Sequence, residues 1–139
     1  MQIENLKKYI AKCPLLKKRT INVNYIGEKP VAYSIVPIPA EPIVKRYVDG
    51  GTLRQFLFTF SSVEAYDDNT LENMNVAQFF EDFASWIEEQ DEKSNYPELG
   101  DEKEKATRIE VLNSGYLYNE ENTVAQFQIE LKLTYKKER

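Results

Sequence analysis

Apolar residues recur every three or four positions at the start of this chain and at every second position through most of its remaining length. In IENLKKYIAKC, residues 3 to 13, Ile3, Leu6, Ile10 and Cys13 fall at helical spacing while Lys7, Lys8 and Lys12 occupy other faces. That is the pattern of a short amphipathic helix. Pro14 disfavours helical geometry in the residue before it, so the helix is expected to stop near Cys13. Ile21, Val23 and Tyr25 then alternate with Asn22 and Asn24, and Val31, Tyr33 and Ile35 form a second alternating set. With GEKP between them as the turn, the two runs predict a β-hairpin. The three prolines of PIPAEP lack backbone donors, which predicts a sheet edge or an excursion there.

Asp49-Gly50-Gly51 predicts a tight turn, from which a long strand leaves at Thr52. Phe56, Phe58 and Phe60 share one face of that strand, and Leu53, Gln55, Leu57, Thr59, Ser61 and Val63 share the other. Both faces are partly apolar, which fits a central strand covered by a helix on one side and by something else on the other. The strongest helical signal lies at about 75–91. Val76, Phe79, Phe80, Phe83, Trp86 and Ile87 cover an arc of about 120° at 3.6 residues per turn, with Asn75 as the expected cap and Gln78 three residues on. SNYPELGDEKEK reads as a polar excursion and the most mobile loop. The last third predicts a second hairpin, ATRIEVL and TVAQFQIELKLTY joined by NSGYLYNEEN. Ala125 through Tyr135 alternate strictly there between an apolar and a polar face.

The expected fold class is therefore α+β: a twisted, mainly antiparallel sheet packed by a long helix at about 75–91 and a short N-terminal helix at about 3–13. The chain has 139 residues and no marked linker or repeat, so one domain spanning 1–139 is expected. A chain of this size buries about two-thirds of its unfolded surface and needs no metal or disulfide to hold it. Cys13 is the single cysteine, which fits a reducing compartment. The first twenty residues lack the apolar run of a leader, and no apolar run approaches a membrane span; a soluble, unexported protein is expected.

Composition narrows the chemistry. The chain has no histidine, which removes the commonest general base and the Ser-His and Cys-His nucleophile pairs. Gly50-Gly51 matches no phosphate-binding loop and precedes a strand, so no nucleotide cofactor is expected. Asp67-Asp68, Glu88-Glu89 and Glu120-Glu121 are sequence neighbours whose members point in different directions, and YDDNTLENMN lacks the glycine of a calcium loop. Neither catalytic residues nor a metal site are expected. The formal charge of -5 argues against specific nucleic-acid binding, since phosphate contacts need a basic face. Tyr96, Tyr116, Tyr118 and Phe127 suggest a base-stacking platform, but YNEEN supplies no basic groove. A binding or assembly protein is what elimination leaves, with surplus aromatics suited to a subunit interface.

A set of motifs in fixed order carries a resemblance. Tyr47-x-Asp49-Gly50 precedes Arg54-x-Phe56-x-Phe58 and Glu64-x-Tyr66-x-Asp68; Phe80-x-x-Phe83-x-x-Trp86-Ile87-Glu88 and Pro97-Glu98-Leu99 come next. Ile109-Glu110, Gly115-Tyr116-Leu117-Tyr118, Gln128-Ile129 and Leu133-x-Tyr135 complete the series. Over about residues 45–136 the chain resembles the small minor capsid or tail-terminator-like proteins of phages and prophages of Gram-positive bacteria. The resemblance implies a tail-terminator-like fold and a structural protein of the virion head-tail junction, assembled in the cytoplasm of the bacterial host. Such proteins form a ring, commonly a hexamer, that caps the tail tube, stops its polymerisation and joins it to the head. The implied partners are further copies of the chain, the tail tube protein and neck or connector proteins, with DNA passing through the lumen and no membrane involved. Two other readings stay open: a neck or connector adaptor contacting the head, and a phage-encoded protein-binding module outside the virion. Leu53, Gln55 and Leu57, on the second face of the long strand, and Tyr96 and Leu99, in the polar excursion, are the candidate subunit or partner contacts.

Overall fold

The computed structural model describes residues 3–16, 20–23, 32–65, 70–113, 116–121 and 124–139. Helix α1, Ile3–Ala11, buries Leu6, Tyr9 and Ile10 on the stripe that its periodicity dictates. It tightens at its end, where Lys12 and Cys13 donate to the carbonyls of Tyr9 and Ile10 one residue short of helical spacing. The expected stop before Pro14 is thus met within two residues.

The sheet contains β1 (Thr20–Val23), β2 (Ala32–Ile38), β3 (Ile43–Arg46), β4 (Thr52–Ala65), β5 (Glu104–Val111), β6 (Tyr116–Glu121) and β7 (Val124–Lys137). Its main path runs β1-β2-β4-β7-β5, with β3 added beside β4 and β6 beside β7. All described pairings are antiparallel except β1 with β2. The long strands β4 and β7 form the spine, paired from Thr52↔Lys137 to Ala65↔Val124. Together with the two helices this is an α+β fold built on a mainly antiparallel sheet.

The topology bears on three expectations, correcting two of them. The first two strands are not a hairpin: β1 and β2 run parallel, with Thr20 opposite Ala32 and Val23 opposite Ile35. A strand of four residues spans only about 13 Å, so the eight residues between the two can return along it; period-two alternation fixes a face but not a direction. The GEKP turn lies outside the described residues. Second, the sheet edge expected at PIPAEP is met: Pro37 sits inside β2, opposite Phe58. It is tolerated because the described β1 partners end at Ile35, so this stretch of β2 has β4 as a neighbour on one side. Third, NSGYLYNEEN is not a loop, since it contains β6. β5 and β6 line up in turn on one edge of β7, β5 beside Leu131–Lys137 and β6 beside Val124–Gln128.

Helix α2, Thr70–Glu92, begins five residues before the expected start, which places Asn75 inside the helix and not at its cap. The helix ends in a Schellman turn. Ser94 takes a left-handed conformation with φ 56°, Ser94 N–H donates to the Asp91 carbonyl, and Asn95 N–H donates back to the Gln90 carbonyl.

One apolar cluster joins both helices to a single face of the sheet. It contains Leu6, Ile10 and Cys13 beside α2's Phe80, Phe83 and Ile87, the β4 pair Phe58 and Phe60, and Ile129, Leu131 and Leu133 of β7. The Phe56, Phe58, Phe60 face is therefore the seat of α2, as its apolar arc requires. Phe79 and Trp86 reach the cluster only from its margin.

Candidate interaction surface

The second face of β4 carries neither described helix. There Leu53, Gln55 and Leu57 are half-buried. Leu57 lies between Ile38 of β2 and Lys132 of β7, and Leu53 between Lys45 of β3 and Lys136 of β7. Val36 and Ile38 of β2 are also half-buried, so the alternation of two strands produces one apolar strip. Charge borders it on the β7 and β5 side. Lys132 Nζ is 3.6 Å from Glu110 Oε1, and Arg108 Nη2 is 3.2 Å from Glu110 Oε2. Further along the same face of β4, Thr59 and Ser61 are buried.

Of the five residues singled out by sequence, Leu53 and Leu57 share this strip. Gln55 lies on the same face, but its amide is committed within the chain. Its Nε2 donates to the Glu41 carbonyl at 2.8 Å while its backbone N–H donates to the Pro42 carbonyl at 2.9 Å. Gln55 thus pins the proline-rich connection between β2 and β3 to the sheet. Leu99 is 3% exposed and belongs to the core, which leaves it almost no surface to offer a partner. An apolar residue in a polar loop fits a plug as well as a contact, and burial decides for the plug. The excursion around it is pinned at several points: Pro97 is buried as well, and Glu138 N–H donates to the Lys103 carbonyl.

Tyr96 is half-buried and well away from the strip. Its hydroxyl lies 2.8 Å from Asp91 Oδ1 and 3.2 Å from the Asp91 carbonyl. Burial, then the hydrogen bond and charge of Asp91, raise its phenol above the ordinary value. Beside it a cleft of about 280 Å³ opens between α1 and the excursion, lined by Tyr9, Trp86, Asn95, Tyr96, Lys8 and Lys12 among others. The Tyr9 hydroxyl donates to the Asn95 carbonyl at 2.8 Å, and burial drives its phenol strongly upward.

Sequence reasoning overlooked the β3–β4 hairpin as a surface. Val48 at its tip is fully exposed and Val44 is half-exposed, with Lys45 and Arg46 exposed between them. The available signal was IVKRYV, apolar residues interleaved with basic ones immediately before a turn. The turn itself is as expected: Tyr47 N–H donates to the Gly51 carbonyl at 2.8 Å, Gly51 N–H to Asp49 Oδ1 at 2.9 Å, and Gly50 adopts φ 92°.

Among the described residues, no group of three or more His, Cys, Asp or Glu is placed to hold a metal ion, and no helix is long and apolar enough to cross a membrane. Glu88 and Glu89 are exposed on α2, and Glu89 pairs with Lys93 one turn on. Asp67-Asp68 and the side chains of the YDDNTLENMN stretch, of Glu120-Glu121, and of Tyr116 and Tyr118 lie outside the described residues. No protein-family model matches the chain, and no curated protein sequence matches it significantly.

Proposed function

We propose that this chain is a structural protein of the head-tail junction of a long-tailed bacterial virus. As a tail-terminator-like subunit, it forms a ring that caps the tail tube, stops its polymerisation and joins it to the head. The observation that carries the reading is the ordered motif set from Tyr47 to Tyr135. Much of that set has a physical role in this fold: Asp49-Gly50 makes the hairpin turn, Phe58, Phe80, Phe83 and Ile87 fill the core, and Pro97 and Leu99 plug the excursion.

The surface supports a role in assembly. The strip of Leu53, Leu57, Val36 and Ile38 has apolar side chains at its centre and ion pairs at one border, the arrangement of a protein contact. A stable contact buries about 1,200–2,000 Å² in total, so this strip supplies the centre of one. We assign it to the tube or neck protein. The net charge of -5 suits a ring that DNA must traverse without adhering.

The test is a deletion of the gene in the phage or prophage that carries it. Electron microscopy should show abnormally long or headless tails, restored to normal by the wild-type gene. Infectious particles of normal tail length from the deletion strain would rule the reading out.

A further inference from the structure

Two separate surfaces of the molecule carry opposite charge: the β3 edge is basic and the outer face of α2 is acidic. β3 has β4 as its one partner among the described residues, which leaves its outer row of backbone groups open. Its Lys45 and Arg46 are exposed together with Val44, and Val48 projects from the turn beyond them. Lys45 Nζ stands 5.5 Å from the Tyr47 ring centroid, which anchors the charge at this edge. An exposed edge strand with apolar side chains is a liability unless something covers it.

The second surface is the solvent face of α2. α2 lies on the core face of the sheet, stacked on Phe60 of β4 and packed along β5, whereas β3 pairs the edge of β4 away from β7. Its exposed carboxylates are Glu81, Asp82, Glu88, Glu89 and Glu92; from Glu81 to Glu92 the helix contains no lysine or arginine, and Lys93 just beyond it pairs with Glu89 and leaves the others uncompensated along the helix. Repulsion among these carboxylates is relieved by an incoming basic surface.

We infer that the β3 edge and hairpin tip of one copy dock on the acidic face of α2 in a second copy. Lys45 and Arg46 meet the α2 carboxylates, and Val44 and Val48 are removed from water. Each copy presents both halves on different sides, so the contact is heterologous and repeats by rotation into a ring, or into a filament where the rotation does not close. The assignment rests on the proposed ring-forming role and names the surfaces that build the ring.

The experiment measures self-association of the full chain by sedimentation velocity at low and high ionic strength. Wild-type protein should associate with rising concentration and dissociate as salt screens the contact. A Lys45→Glu/Arg46→Glu variant and a Glu88→Lys/Glu89→Lys variant should each lose association by roughly a hundredfold, because like charges then face each other. An equimolar mixture of the two should associate again, since the reversed halves fit one another. Zero-length coupling of amines to carboxylates in a mixture of isotopically light and heavy wild-type chains should join Lys45 of one copy to an α2 carboxylate of another. These substitutions lie outside the core cluster, and unchanged urea midpoints will establish that the variants fold. Association insensitive to both reversals, or a mixture that fails to restore it, overturns the assigned surfaces while tail morphology still tests the junction role separately. A chain that stays monomeric at all concentrations and salts overturns the inference outright.

Discussion

Phe83 of α2 stacks on Phe60 of β4 with ring centroids 4.7 Å apart and planes within 13°. Both rings are fully buried. This is the contact by which the apolar arc of the helix meets the aromatic face of the strand, and the stack continues to Tyr33, whose ring lies 5.3 Å from Phe60. Phe83→Ala should therefore cost about 3–5 kcal/mol, the range for a large-to-small change in a packed core. Trp86→Ala should cost less, because the indole sits at the margin against Tyr9 and Phe83 and is only partly buried. Urea unfolding of the two variants, followed by circular dichroism, gives the order directly. A larger loss for Trp86→Ala would mean that the helix docks chiefly through its indole.

Alkaline pH should unfold the protein through its buried phenols. Tyr9, Tyr96 and Tyr135 all have pKa values raised above the ordinary 10.0, in each case chiefly by burial. Each phenol thus favours its neutral form more in the folded chain than in the unfolded one. That contribution is fully present below about pH 10 and is lost as pH rises through the folded values. The urea midpoint should be flat below that pH and fall above it. Tyr9→Phe should flatten part of the fall while costing about 1 kcal/mol at neutral pH through the lost bond to the Asn95 carbonyl. An alkaline limb identical in both proteins would place the titrating group elsewhere.

The sequence was most legible where burial and periodicity coincide. Phe58 and Phe60, Phe80, Phe83 and Ile87, and the Ile129, Leu131, Leu133 series could each be placed on a buried face from spacing alone. Strand direction was not legible, because β1 alternates identically whether it runs parallel or antiparallel to β2. The first turn of α2 was hidden for a different reason. TLENM offers little apolar periodicity, so the visible arc starts later than the hydrogen-bonded helix does. Leu99 shows the limit at the candidate surface: its hydrophobicity predicted that it would avoid water, and both a partner and the protein's own core satisfy that demand. For Leu53 and Leu57, alternation along β4 was enough to place both on the face away from the helices.

Gly50 should resist substitution more than Gly51. At φ 92° a side chain is strained whatever space it finds, and a Cβ there would lie 2.6 Å from Cδ of Arg139. Arg139 is a flexible side chain at the surface and can move aside, so the backbone strain dominates. Gly50→Ala should cost about 1–2 kcal/mol. Gly51 has no such dihedral, and its added Cβ would stand 3.2 Å from Asp49 Oδ1, a contact that a small shift relieves. Gly51→Ala should cost less than Gly50→Ala in thermal or urea unfolding. Equal costs would indicate that the turn adapts by exchanging its backbone conformation.

Asp91 links the end of α2 to the edge strand β5. Its Oδ1 accepts the Ile109 backbone N–H at 3.1 Å and lies 2.8 Å from the Tyr96 hydroxyl. The helix thus supplies an acceptor to a backbone donor on an edge strand, and the same oxygen holds the excursion that Leu99 plugs into the core. Asp91→Ala takes that acceptor from Ile109 and Tyr96 together and should cost about 1–3 kcal/mol. Asp91→Asn keeps a carbonyl oxygen at the same place and should cost less. Amide hydrogen exchange separates a local effect from global loss. Ile109 should exchange faster in Asp91→Ala than the change in global stability explains, while Leu131 and Leu133 on the buried β7 follow the global value. Unchanged protection at Ile109 would show that β5 is held by β7 alone, and that the helix does not guard this edge.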